Sequence, residues 1–270
     1  MSKTYVITGA ASGIGKALTE YLAERNDIIF ASYRSDDTAL KNIKGNIFPF
    51  YVDYSKPETI KRAADYIKSK TNHIDTLING IGCVVAGPIE KISADEIRRQ
   101  FNVNVFGHIE MSQELLDCLR GGKIINVSSM ASYGIFPFIS PYCASKKCLD
   151  MFFNSLLVEN HKNIKVISIK PGVIATPLWG KSVKENMQSL TDCSEYEKEM
   201  AYVAKNAEKN ETGGLNVDEV VKVIIKADSS KKPNLTYTVG KDAVFARLAS
   251  KLPQEIINKL IKLGISARIK

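Results

Sequence analysis

Tyr142 and Lys146 stand four positions apart in Pro141-Tyr142-Cys143-Ala144-Ser145-Lys146, a stretch of small residues that reads as a helix. That spacing puts a phenol and an ammonium on one helix face, one turn apart. A free tyrosine titrates near 10 and keeps its proton at neutral pH. Lowering that value by about three units takes about 4 kcal/mol of differential stabilisation of the phenolate, and a neighbouring ammonium can share the task. The pair alone is a weak signal, because the chain holds it three times, as Tyr66–Lys70, Tyr142–Lys146 and Tyr237–Lys241. The first lies on an amphipathic surface helix, and the third straddles a strand end and Gly240. The middle pair follows a strand ending Asn126-Val127-Ser128-Ser129. A hydroxyl there can donate where oxyanion charge develops. Ser129 is the expected donor, since strand alternation turns Ser128 to the opposite face.

A second constellation suits an anion. Thr8-Gly9-Ala10-Ala11-Ser12-Gly13-Ile14-Gly15 joins an apolar strand to a helix. The glycines let the backbone turn tightly and approach a pyrophosphate, and the helix N-terminus adds free N–H groups and partial positive charge. A glycine-rich turn with no ligand is the plainer alternative. The second strand ends in Tyr33-Arg34-Ser35-Asp36-Asp37, where the ribose of a dinucleotide is read. An acid at the strand end would bond a 2′-hydroxyl, whereas Arg34 suits a 2′-phosphate. The reading is NADP(H) over NAD(H). The competing one leaves Arg34 solvated and puts Asp36 or Asp37 on the ribose.

The elements that position these residues alternate along the chain. Apolar, β-branched runs at Thr4–Thr8, Ile28–Ser32, Asn46–Val52, Thr76–Asn79, Lys123–Ser128, Lys165–Lys170 and Leu235–Val239 read as strands buried on both faces. Amphipathic helices lie between them, such as Pro57–Ser69 and Ala94–Leu119, the latter opened by a Ser93-Ala94-Asp95-Glu96 capping box. This alternation predicts an α/β fold, a single-domain, Rossmann-type, doubly wound parallel sheet of about seven strands with helices on both faces. Residues 1–243 form that domain. Within it the long polar insertion 177–214 is a candidate lid, and 244–270 is a C-terminal amphipathic helical extension.

Composition excludes other classes. With 44% hydrophobic and 24% charged residues, the 270-residue chain is neither disordered nor collagen-like. No apolar run approaches a membrane span and no signal peptide is evident. Five cysteines without a CxxC fit reduced thiols in the cytoplasm. His108 and Glu110 make an HxE, but no CxxC follows, so a deaminase zinc site is not expected and no other metal site is read. His108 is placed on a helix near a subunit face. His73 and His161 read as loop and helix-end residues. The net charge of +8 comes without an aromatic-interleaved basic stripe, so no nucleic-acid partner is expected.

Taken together, Thr8–Gly15, Asp53 after the third strand, Asn79-Gly80-Ile81-Gly82, Asn104, Ser129, Tyr142, Lys146 and Pro171-Gly172 followed by Thr176 resemble the short-chain dehydrogenase/reductase family over Thr4 to about Pro177. The resemblance implies that Tyr142 is the proton donor or acceptor, Ser129 holds the substrate oxygen, Lys146 binds the nicotinamide ribose, and Asn104 anchors a water in a proton relay. An oxidised nicotinamide would then help Lys146 stabilise the phenolate. The resemblance also places the cofactor. Gly9, Ser12, Gly13, Ile14 and Gly15 form the cradle, and Tyr33, Arg34 and Ser35 meet the adenosine ribose. Asp53 accepts from the adenine amine beside Tyr54, Asn79 and Gly80 line the ribose, and Pro171, Gly172, Ile174 and Thr176 hold the carboxamide side. Gly80 and Ile81 depart from the family's usual Asn and Ala.

The helix around Tyr142 and the Pro171–Pro177 segment are similar to the hydroxysteroid and retinol dehydrogenase branch. Val84, Phe136, Leu178 and Trp179 are candidate substrate contacts, with Val85, Ile135, Pro137, Phe138 and Ile139 nearby, an apolar set suited to a hydrophobic ketone, aldehyde or alcohol. Leu178 and Trp179 read equally well as the packed face of a helix. A 3-oxoacyl carrier-protein reductase has the same catalytic set, and a catalytically silent NADP-binding regulator is the alternative from another class. The resemblance implies a homodimer or homotetramer, with Ala94–Leu119 and Pro141–Asn160 across a two-fold axis. The last 20 residues hold five cations against Glu255 alone, so half of the +8 sits on the tail. It can cover the site, join a subunit contact or lie peripherally on a membrane.

Overall fold

The computed structural model describes residues 2–159, 162–180 and 194–268; the side chains of 266–268 are not described. The expectations for His161, for Asn160 as a helix end, for Cys193 and for the middle of the 177–214 insertion fall outside the described residues.

The strands are β1 (Thr4–Thr8), β2 (Ile28–Tyr33), β3 (Asn46–Tyr51), β4 (Thr76–Asn79), β5 (Lys123–Val127), β6 (Lys165–Pro171) and β7 (Thr236–Val239). They form one sheet in the order β3-β2-β1-β4-β5-β6-β7, and every pairing is parallel. The helices are α1 (Gly13–Ala23), α2 (Thr38–Lys41), α3 (Pro57–Lys70), α4 (Ala94–Phe101), α5 (Gly107–Leu115), α6 (Ser140–Glu159), α7 (Glu197–Gly213), α8 (Val217–Ser229), α9 (Lys241–Ala249) and α10 (Gln254–Arg268).

The uninterrupted apolar runs reflect burial on both sides. Phe30, Val6, Leu77, Ile124 and Val166 are in register across five strands and face one core with α3, α5 and α6. The next row, Ala31, Ile7, Ile78, Ile125 and Ile167, faces the other core with α1 and α8. A period of two therefore sends every second side chain to each layer. The chain order reverses at β1 and β4, which opens a crevice outside their carboxyl ends.

The single helix expected over Ala94–Leu119 is interrupted. A π-helical turn, Asn102–Phe106, separates α4 from α5, and α5 closes at Leu115. Such turns widen a helix where a side chain must be re-aimed. Ser93 accepts from the Glu96 N–H at 3.2 Å, while the Glu96 carboxylate turns to Arg99 instead of completing the capping box. The placement of His108 near a subunit face is corrected. It is fully buried, because its ring lies edge-on to Tyr54 at 5.0 Å and its Nε2 donates to the Ile81 carbonyl at 2.8 Å. Burial pushes its pKa down to about 3, with the Lys146 charge adding to the effect, so it stays neutral.

Candidate active site

The β1–α1 turn is shaped by close approach. Gly9 and Gly13 have φ of +77° and +52°, in the left-handed region that side chains disfavour. A Cβ on Gly9 would stand 2.9 Å from the Gly80 backbone, and one on Gly15 would overlap the Gly9 carbonyl. The Gly9 N–H donates to Ser32 Oγ at 2.7 Å, tying the turn to β2. Ser12 precedes α1 without capping it, and the first turn carries no acid, so its N–H groups and partial positive charge are open to an anion. Thr176 flanks this cradle, 3.4 Å from where a Gly13 Cβ would stand. An unscreened, Cβ-free helix N-terminus at the switch point of the sheet fits the diphosphate of a dinucleotide.

Beyond β2 the two acids that compete with Arg34 are engaged. Asp36 accepts from the Thr38 N–H and hydroxyl, at 2.9 and 2.6 Å, and Asp37 pairs with Lys41 at 2.9 Å. Arg34 and Ser35 are exposed, and Tyr33 rests edge-on against Tyr51. Asp53 accepts from the Ser55 N–H and hydroxyl. Burial raises its pKa, but those bonds and the nearby Arg34 charge outweigh it and hold the carboxyl below its usual range.

The catalytic set is assembled by β5, the turn after it and α6. Ser129 caps the short helical turn Met130–Tyr133, its Oγ accepting from the Ala131 N–H at 3.1 Å. Its hydroxyl also acts on the Tyr142 phenol, lowering that group's pKa. Ser128 Oγ has no hydrogen-bond partner among the described residues. The Lys146 ammonium sits 5.8 Å from the Tyr142 ring centroid and donates to the Val127 carbonyl at 2.9 Å. Gly82 leaves it room, a Cβ there standing 3.6 Å away. Burial lowers Lys146 to about 8, with Asp150 and Cys83 pulling the other way.

The phenol departs from expectation. Burial pushes Tyr142 up to about 12, and Ser129 offsets only part of that. Lys146 lies over the ring and donates to the Val127 carbonyl. Tyr142 therefore keeps its proton at neutral pH.

Asn104 comes beside this set, but its amide is committed. Oδ1 accepts from the Cys83 N–H at 2.9 Å, and Nδ2 donates to the Cys83 carbonyl and to Ser145 Oγ. A relay water would be left with the remaining Oδ1 lone pair or the main chain. Two residues that sequence reasoning missed complete the arrangement. Gln100 donates to the Cys83 carbonyl and accepts from the Val85 N–H, both at 2.6 Å, and His108 holds Ile81. Gln100, Asn104 and His108 are spaced by four, and the π-turn cancels the angular drift that this spacing accumulates on an α-helix. Together they fix the segment from Ile81 to Val85 beside Lys146. The signal was three polar side chains at one spacing on an otherwise apolar face. Gln100→Leu leaves the Val85 N–H unpaired in the interior and is expected to cost about 1–3 kcal/mol. Urea denaturation reads this, and an unchanged midpoint contradicts it.

Val84, Ala86, Ala131 and Cys143 form a buried apolar cluster with Tyr142, against which Phe136, Ile139, Leu178, Trp179 and Val203 pack. Trp179 meets the Tyr142 ring edge-on at 5.7 Å. All four expected substrate contacts thus gather at the phenol. Ile135, by contrast, is exposed, and Val85 is held through its backbone. Phe138 adopts φ of +65° and rests against Tyr196.

Three cofactor expectations are corrected for side chains. Asn79 points inward, its amide donating to Asn126 Oδ1 at 2.9 Å, so it braces β4 on β5. The Tyr54 ring is buried against His108 and Gly107, leaving only its backbone for a ligand. Ile174 packs into the core, while the chain around it pairs with Leu215. Gly80 donates to Thr8 Oγ1 at 3.1 Å. Pro171 ends β6, and Gly172 lies against the Asp242 carboxylate.

Comparison with known proteins agrees with this geometry. The family described as short chain dehydrogenase matches residues 3–187. The chain is 30% identical to the 3-ketodihydrosphingosine reductase of Bacteroides thetaiotaomicron, over 97% of this chain and 98% of that protein. It is 29% identical to the NADPH-dependent 3-dehydrocapnine reductase of Ornithobacterium rhinotracheale, over 94% of each. A short-chain dehydrogenase from Streptomyces avermitilis shares the fold with a TM-score of 0.79 at 22% identity, covering 99% of this chain and 97% of that one. With the cradle, the sheet order and the Ser129–Tyr142–Lys146 grouping in place, these matches establish that the chain belongs to the short-chain dehydrogenase family of oxidoreductases.

Proposed function

We propose that the protein is an NADPH-dependent reductase of hydrophobic ketones or aldehydes. The observation that carries this reading is a phenol buried in an apolar cluster, with Lys146 over its ring and Ser129 acting on it. The substrate carbonyl takes its place between Ser129 and Tyr142. Ser129 donates to the carbonyl oxygen and aligns it. The reduced nicotinamide, when bound, supplies hydride to the carbonyl carbon. Tyr142 delivers its proton to the oxygen as charge develops there, and Lys146 holds the ribose hydroxyls and keeps positive charge near the phenol. Val84, Phe136, Leu178 and Trp179 exclude water from the reacting centre. The named ketone reductions of the two curated relatives support a keto substrate.

The preference for NADP(H) rests on Arg34, because Asp36 and Asp37 already have partners. One charge-assisted contact to a 2′-phosphate is worth about 1.5–3 kcal/mol, or roughly 10- to 100-fold. Comparing kcat/KM for NADPH and NADH, in the parent and in Arg34→Ala, tests this. The variant is expected to lose the preference, and a parent that favours NADH contradicts the reading.

Protonation gives a second expectation. Lys146 is charged below about 8 and neutral above it, while Tyr142 stays protonated throughout that range. Reductive kcat/KM is therefore expected to hold below pH 8 and to fall as pH rises through it. A rise across the same range would contradict the assignment.

The described cysteines are free thiols, consistent with a reducing cytoplasm. Phe106, Met151, Phe152 and Val158 leave the α5–α6 side apolar and open. This supports a homodimer or homotetramer across that face, which sedimentation would read against a monomer.

A further inference from the structure

We propose that α9, α10 and the turn between them dock the protein on an anionic bilayer surface. On α9, Val244, Phe245 and Leu248 are exposed, Phe245 by 74%, on the side away from the buried Ala243. Leu252 in the turn and Ile256, Leu260 and Leu263 on α10 continue the exposed apolar face. The three α10 residues recur at i, i+4 and i+7, one stripe of a helix. Ile257, Ile261 and Ile265 lie on a neighbouring stripe and are half-buried, so the open stripe is a second apolar face. Exposed Arg247, Lys251 and Lys259 accompany it. Among the described residues no helix is long and apolar enough to cross a membrane. An apolar stripe with basic company is the pattern of a helix lying in the interface plane, where burial and attraction to anionic headgroups act together.

Charge decides between a bilayer and a second copy of the chain. The last 20 residues carry five cations against one acid, on a chain already at +8. A two-fold contact through this face would set the same cations against each other. An anionic surface complements them.

The placement ties the docking face to the catalytic turn. α9 starts at the carboxyl end of β7, on the edge of the sheet that bears the catalytic set. Asp242 in its first turn accepts from the Val173 N–H at 2.7 Å. Thr238 at the end of β7 is hydrogen-bonded at 2.7 Å to Tyr133, on the turn that Ser129 caps. α9 is thereby anchored beside the turn that carries Ser129, on the same edge of the sheet as the docking face.

The test is flotation of the full-length protein with vesicles of phosphatidylcholine alone and of phosphatidylcholine mixed with phosphatidylglycerol. The expected result is about tenfold or stronger association with the anionic vesicles, reduced by high salt. Phe245→Ser/Leu260→Ser and Lys251→Glu/Lys259→Glu should each lose flotation. Both should keep the parent's thermal midpoint and its rate of NADPH oxidation with a water-soluble ketone. Three results would overturn the proposal. These are absence of flotation, flotation indifferent to lipid charge, and lipid-free self-association of the parent that Phe245→Ser/Leu260→Ser abolishes. The flotation readout does not depend on activity, so it stands apart from the fate of the proposed reaction.

Discussion

Tyr142→Phe is expected to lower kcat by about 10²- to 10⁴-fold, the usual contribution of a positioned general acid. The ring is retained, so its edge contact with Trp179 and its place in the apolar cluster persist. Only the hydroxyl is lost, and with it the proton. Affinity for NADPH, read by fluorescence titration, should stay within a few-fold of the parent, because the cradle lies on the other side of the crevice. Ser129→Ala should act in the same direction with a smaller loss, since it removes a donor and leaves the acid. Near-parental turnover in Tyr142→Phe would remove Tyr142 from the chemistry. A joint loss of turnover and cofactor binding would mean that the ring positions the cofactor instead.

Gly15→Val is expected to abolish cofactor binding. Any Cβ at this position overlaps the Gly9 carbonyl and crowds Ala10, so the turn must open. Overpacking of this kind costs about 1–3 kcal/mol or more. Here the strain falls on the N–H groups that would face the diphosphate. We expect the NADPH dissociation constant to rise at least tenfold, together with a lower melting midpoint. Gly134→Ala is the control, because nothing lies within 4 Å of its Cβ and its backbone is extended. That variant should bind and melt as the parent does. Parental NADPH affinity in Gly15→Val would show that the β1–α1 turn is not the cradle.

The sheet was legible because its central strands are apolar on both faces, a pattern few other elements produce. The cradle was legible because glycine types are dictated by close backbone approach. The interrupted α4–α5 segment was not. Its π-turn depends on Asn104 reaching the backbone of Cys83, a contact 21 positions away that no local propensity encodes. Tyr54 and Asn79 were misjudged for a similar reason. A polar side chain near the carboxyl end of a strand can point to the crevice or into the core, and only the neighbours Gly107 and Asn126 decide which. The phenol of Tyr142 was expected to be depressed by Lys146. The spacing gave the helix face, but not the bond to Val127 that holds the ammonium over the ring. The exposure of Leu260 and Phe245 was equally invisible, since an amphipathic pattern does not reveal which apolar stripe is covered.

The central claim is hydride transfer from NADPH to a hydrophobic ketone with Tyr142 as the acid. Its most direct test is to incubate the protein with NADPH deuterated at the transferring C4 position and a panel of apolar ketones, then weigh the products. The account predicts one deuterium on the new carbinol carbon, and none transferred by Tyr142→Phe. Failure of the parent to form deuterated alcohol from any of these ketones, with NADPH bound and the protein folded, would contradict it.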